Sequence, residues 1–150
     1  WAELLRGRAV QRCVQPEGHL GKRMQTAVET HLKRSELVLL LGPDAIEFTQ
    51  ADLHELQRAA RQCGLAFVPA HDGGYVALAC NRNVPEIFSA SIAWGTASVA
   101  EQTRAALQQQ HLSAVWLPSQ LDIDEPADLD RAIELGCLPV DWPVRYQATE

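Results

Sequence analysis

The stretch His71-Asp72-Gly73-Gly74-Tyr75 lies between two apolar runs, Leu65-Ala66-Phe67-Val68 and Tyr75-Val76-Ala77-Leu78-Ala79. A carboxylate beside two glycines at a strand end lets the backbone come close to a ligand while the acid points at it. Two more acidic sites follow apolar runs in the same way. Asp44 comes after Leu37–Leu41, and Asp122 and Asp124 come after Val115-Trp116-Leu117. Three such sites on one short chain point to a polar ligand or a metal ion at one edge of a sheet. Each acid also has a plainer use. Aspartate is common in a turn after Gly-Pro, Asp-Gly favours a hairpin, and an acid ahead of Pro126 suits a helix N-terminus.

Residues that converge in this way need a layered scaffold. Apolar positions Leu20, Met24, Ala27, Val28, His31 and Leu32 recur at helical spacing and predict a helix over Leu20 to Lys33. Glu36–Leu41 ends in a Leu/Val run bounded by Gly42-Pro43, the pattern of a strand buried on both faces. Thr49 with Asp52 three residues on predicts a capped helix that Gly64 ends. Strands at 65–69 and 75–79 flank the Asp-Gly-Gly turn, and Pro85–Phe88 reads as one helical turn. Ser98 is expected to cap a helix to about His111, Ala114–Leu117 to form a strand, and Glu125-Pro126 to open a last helix that Gly136 stops. Residues 9–14 read as a short strand and 137–150 as irregular. Strands alternating with helices predict a three-layer α/β fold with a mostly parallel sheet, in which ligands sit beyond the strands' carboxyl ends.

The bulk numbers fit one domain over 1–150. The chain has 150 residues, 47% hydrophobic and 21% charged, as in ordinary globular proteins. A net charge of −6, with no basic cluster beyond Lys33-Arg34, argues against nucleic-acid binding. The four cysteines form no Cys-x-x-Cys pair, so a zinc ribbon is not expected and reduced thiols in a cytoplasmic protein are. No apolar run reaches the roughly 20 residues of a membrane span. No signal peptide is visible, and the chain begins with Trp1.

Taken in order, the motifs resemble the rSAM/selenodomain-associated transferases, a branch of the GT-A-type nucleotide-diphospho-sugar transferases. The matching residues are Gln15; Gly18-His19-Leu20-Gly21-Lys22-Arg23-Met24; Gly42-Pro43-Asp44; Pro69-Ala70-His71-Asp72-Gly73-Gly74-Tyr75; Phe88; Trp94-Gly95-Thr96; and Asp122-Ile123-Asp124-Glu125-Pro126-Ala127-Asp128-Leu129. The resemblance covers about residues 9–133. It implies a metal-dependent glycosyltransferase-like protein acting on a nucleotide-activated sugar, with a nucleotidyltransferase as the alternative on the same fold. Mg²⁺ or Mn²⁺ would be held by Asp44 and Asp124, with Asp122 in support. Asp72 would bind the acceptor or act as base. Arg23 would meet a phosphate, Gly73 and Gly74 would admit the substrate, and Trp94 and Thr96 would line the acceptor pocket.

This chain departs from the family pattern at His19, where the family has aspartate, and at Ala45-Ile46, where it has Cys-Pro. The family's N-terminal segment, with its glycine-rich turn and basic residue for nucleotide phosphates, has no counterpart before residue 9. An N-terminally truncated domain is therefore expected, its sheet gap closed by a shifted pairing, a swapped strand from a second copy or a separate N-terminal piece, and a homo-oligomer is predicted for this reason. The same absence leaves a second possibility, a non-catalytic remnant that folds and assembles without binding nucleotide.

Overall fold

The computed structural model describes residues 13–139. The predicted strand over 9–14 therefore lies mostly outside the described residues, as does the tail beyond Pro139; Cys13 and Val14 themselves are not in a strand. The elements are α1 (Leu20–Leu32), β1 (Val38–Leu41), α2 (Gln50–Cys63), β2 (Leu65–Pro69), β3 (Tyr75–Cys80), a 3₁₀ turn (Pro85–Phe88), α3 (Val99–Gln109), β4 (Val115–Trp116) and α4 (Pro126–Glu134).

Local chemistry sets these boundaries. At α2 the Asp52 carboxylate accepts from the Thr49 N–H (2.8 Å), and the Asp52 N–H donates to the Thr49 hydroxyl (3.3 Å). This reciprocal box satisfies two otherwise orphaned donors. Burial works upward on the Asp52 pKa, but the Thr49 bonds and Gln120 outweigh it and hold the carboxyl below its ordinary value. Gly64 ends α2 with φ +91°, where a side chain would be strained. Ser98 sits at the start of α3 without capping it. Its hydroxyl accepts instead from the Gln102 side-chain amide (2.8 Å).

The sheet order is β1-β3-β2-β4. β3 pairs antiparallel with both β1 and β2, while β4 pairs parallel with β2. The expectation of a mostly parallel sheet is therefore corrected: the α/β layering stands, but two of the three pairings are antiparallel. The short turn at 70–74 forces β3 to reverse against β2, and β3 then inserts between β2 and β1. β1, β2 and β4 still run the same way, so their carboxyl ends share one rim.

Two clusters fill the two faces of the sheet. On one, Leu56, Ala59 and Ala60 of α2 pack on Ala66, Val68, Ala77 and Ala79. On the other, Val28 of α1, Ile87, Phe88 and Leu107 of α3 pack on Leu65, Phe67, Leu78 and Cys80. The alternation along β2 and β3 is the period of two that sends successive side chains to opposite faces. Helices thus cover both faces, the three layers expected.

Candidate functional site

Each of the three like-directed strands runs out into an acid. Asp44 follows β1, Asp72 follows β2, and the segment after β4 carries Asp122 and Asp124. That last segment is neither helix nor strand, yet it is tied across the rim. The Gln120 N–H donates to the Pro69 carbonyl (2.9 Å), and the His71 N–H donates to the Gln120 carbonyl (3.1 Å). Asp122 makes an antiparallel bridge to Ala45, and the Ile123 N–H reaches the Asp44 carbonyl (3.3 Å). Ala45, one of the departures from the family pattern, therefore serves through its backbone.

The result is a group of three carboxylates. One oxygen each from Asp72, Asp122 and Asp124 lie within 4.8 Å of one another. Asp72 is oriented by its own turn, its Oδ1 accepting from the Gly74 N–H (2.8 Å). Asp124 is placed by Asp128, whose carboxylate accepts from the N–H groups of Asp124 (3.1 Å) and Glu125 (2.8 Å). Asp128, not Asp124, thus supplies the acid at the start of α4. Asp44 lies outside the three-oxygen group but within its field. Its carboxylate folds back over Gly42, with Oδ1 2.5 Å from where a Cβ would stand.

The electrostatics are those of like charges held together. Burial first, then Asp72, Asp124 and Asp44, push the Asp122 carboxyl up to about 6, against a lowering backbone hydrogen bond. Asp124 is also raised, by burial first and then by Asp44, Asp72, Asp128 and Glu125. Among the described residues the ion pairs are Arg58–Glu55 and Arg131–Glu134, and neither involves the rim. Three carboxylate oxygens this close are hard donors, which fit Mg²⁺ or Mn²⁺ and do not fit a soft metal.

Asp44 and Asp122 open into a cleft of about 870 Å³ between α1 and β1, also lined by Leu20, Arg23, Met24, Leu40 and Tyr75. That volume suits a nucleotide-sized ligand. Arg23 stands at the cleft, but its Nε donates to the Gly18 carbonyl (2.9 Å). Gly73 takes φ +95°, and a Cβ there would overlap the Ala97 backbone, so the 93–98 loop rests directly on the turn. Gly74 supplies the amide to Asp72. Trp94 is half-buried: its ring covers Gly21, 2.5 Å from an added Cβ, and its Nε1 donates to the Ser89 carbonyl (3.0 Å). Thr96 bonds the Ala93 carbonyl and the Ser98 hydroxyl, both at 2.8 Å, within its own loop. The structure therefore brings Asp72, Asp122 and Asp124 together with Asp44 beside them. Trp94 and Thr96 belong to the loop that braces the turn beside them.

The comparisons agree with this architecture. A crystal structure described as a "putative nucleotide-diphospho-sugar transferase from Desulfovibrio desulfuricans G20" is similar with a TM-score of 0.75 and 26% identity, covering 81% of this chain and 54% of that one. The fold is accordingly that of the nucleotide-diphospho-sugar transferases, and the chain spans about half the length of that relative. No curated protein matches. Residues 1–96 match the family described as "Uncharacterized protein conserved in bacteria (DUF2064)", and the chain belongs to that family.

Proposed function

We propose that the chain is a glycosyltransferase-like protein that takes a nucleotide-activated sugar at the acidic rim with the help of Mg²⁺ or Mn²⁺. The observation that carries this reading is the approach of the Asp72, Asp122 and Asp124 oxygens to within 4.8 Å of one another, on a fold shared with the Desulfovibrio protein. In this reading Asp72 holds the cation alongside Asp122 and Asp124, in preference to acting as acceptor base, because its carboxylate stands inside the group. Asp44 adds negative field at the mouth of the cleft, and the cleft receives the donor. When bound, the ion offsets the charge that develops on the departing diphosphate. The chain's own part is to fix the oxygens, and Gly73 and Gly74 keep the backbone beside them free of side chains. We place the chain with the rSAM/selenodomain-associated branch on its ordered motifs.

Among the described residues no helix is long and apolar enough to cross a membrane. The four cysteines are free thiols, which supports a cytoplasmic setting. β1 is an edge strand of the described sheet, as β4 is, which supports a homo-oligomer; a monomer by light scattering contradicts that part.

Calorimetric titration with UDP or GDP, with and without Mn²⁺, tests the function. The expected result is saturable, Mn²⁺-dependent binding that Asp122→Asn abolishes. No heat at millimolar ligand overturns the transferase reading and favours a domain that folds without binding nucleotide. Transfer of the nucleotidyl group in place of the sugar would favour the nucleotidyltransferase alternative.

A further inference from the structure

Resting on that reading of the rim, we infer that Glu47 is the positioning residue that sets Asp122 in the cation group. The segment from Leu117 to Glu125 carries two of the three acids and has no helix or strand of its own, so its shape depends on point attachments. On the side of β2 they are backbone bonds, from the Leu117 N–H to the Phe67 carbonyl and from the Gln120 N–H to the Pro69 carbonyl, both at 2.9 Å. On the side of β1 the backbone bond, from the Ile123 N–H to the Asp44 carbonyl, is long at 3.3 Å. The short attachment there comes from a side chain: the Leu121 N–H donates to Glu47 Oε2 at 2.6 Å, between residues 74 apart in sequence.

Three features separate this contact from an ordinary loop tie. It is charge-assisted, the stronger and shorter kind of hydrogen bond. It acts on the residue directly before Asp122, and the Leu121 side chain is itself buried, at 5% exposed, so the amide is pinned from both ends. Glu47 also lies three residues after Asp44, in the turn whose Ala45 pairs with Asp122. One turn therefore presents Asp44 to the cleft and holds Asp122 toward Asp72. Groups that orient metal ligands without touching the metal typically govern about 10- to 100-fold in metal affinity.

The test uses the full chain, Mn²⁺ alone as probe, and two variants, Glu47→Ala and Glu47→Gln. Mn²⁺ affinity is read by electron paramagnetic resonance, and amide hydrogen exchange is followed at Leu121 and Ile123 in the metal-free protein. Glu47→Ala is expected to weaken Mn²⁺ binding about tenfold or more and to speed exchange at Leu121, with β2 and β3 amides unchanged. Glu47→Gln, which keeps an acceptor oxygen, is expected to restore most of both. Mn²⁺ affinity in Glu47→Ala equal to that of the wild type overturns the inference, as does a glutamine variant as impaired as the alanine one. If the wild-type chain takes up no Mn²⁺, the cation reading itself falls and the positioning role falls with it. That outcome is distinguished by the wild-type titration alone.

Discussion

Two neighbouring regions of this molecule are built on opposite terms. Along one face of the sheet runs a ladder of rings. Arg104 lies 3.6 Å above the Trp116 ring, Trp116 stacks on Phe67 at 4.3 Å, Phe67 meets Tyr75 edge-on at 5.3 Å, and Tyr75 meets Trp94 edge-on at 6.5 Å. Each contact there is favourable to both partners. At the rim where β2 ends, four aspartates stand near one another, and Asp44 and Asp72 add to burial in raising the proton affinity of Asp122 and Asp124. A chain selected for stability alone would disperse those charges. Departures of this kind from local consistency concentrate at functional sites.

The contrast can be broken from either side. Phe67→Ala removes the central ring of the ladder, fully buried at 0% exposure. It is expected to cost about 3–5 kcal/mol, seen as a large fall in the denaturation midpoint; a loss under 1 kcal/mol would mean that the ladder is not the mainstay of that face. Gly73→Ala strikes the junction of the two regions, since its positive φ and the Ala97 backbone leave no room for a methyl. About 2 kcal/mol of destabilisation is expected, and an unchanged midpoint would show that the 93–98 loop yields freely. Thr49→Ala deletes the α2 cap and should cost about 1 kcal/mol, readable in urea unfolding.

The smallest effect has the opposite sign. The Asp122 pKa is about 6 in the folded chain against an ordinary 3.8, so the folded state holds that proton more tightly than the unfolded one. Its contribution to stability is full below about pH 4 and is lost as pH rises through 6. In metal-free protein, Asp122→Asn should therefore flatten the thermal-stability profile between pH 4 and 6 and slightly raise the midpoint at pH 7. A drop at pH 7 would show that the Asp122 charge stabilises the apo fold.

Much of this contrast is legible in the sequence because it is encoded locally. The Thr49/Asp52 box, the Gly64 stop, the apolar runs at 65–69 and 75–79, and an acid after each like-directed strand all lie within a few residues. What is not legible depends on distant partners. β3 enters the sheet between β1 and β2, a choice made by packing of non-adjacent strands, and so the expected parallel pairing gave way while the shared rim survived. The tie from Glu47 to Leu121 spans 74 positions and leaves no local trace. Trp94, expected in an acceptor pocket, also covers Gly21, a contact between loop and helix that only the folded chain brings about. Asp124 and Asp128 both suit the entry to α4, and only the observed hydrogen bonds separate the capping acid from the one left to the rim.

The most direct examination of the rim is an anomalous difference map from crystals of the chain soaked in Mn²⁺. The account predicts one strong peak about 2.1–2.2 Å from oxygens of Asp72, Asp122 and Asp124, absent in Asp122→Asn. A peak elsewhere, or none at millimolar Mn²⁺, would contradict it.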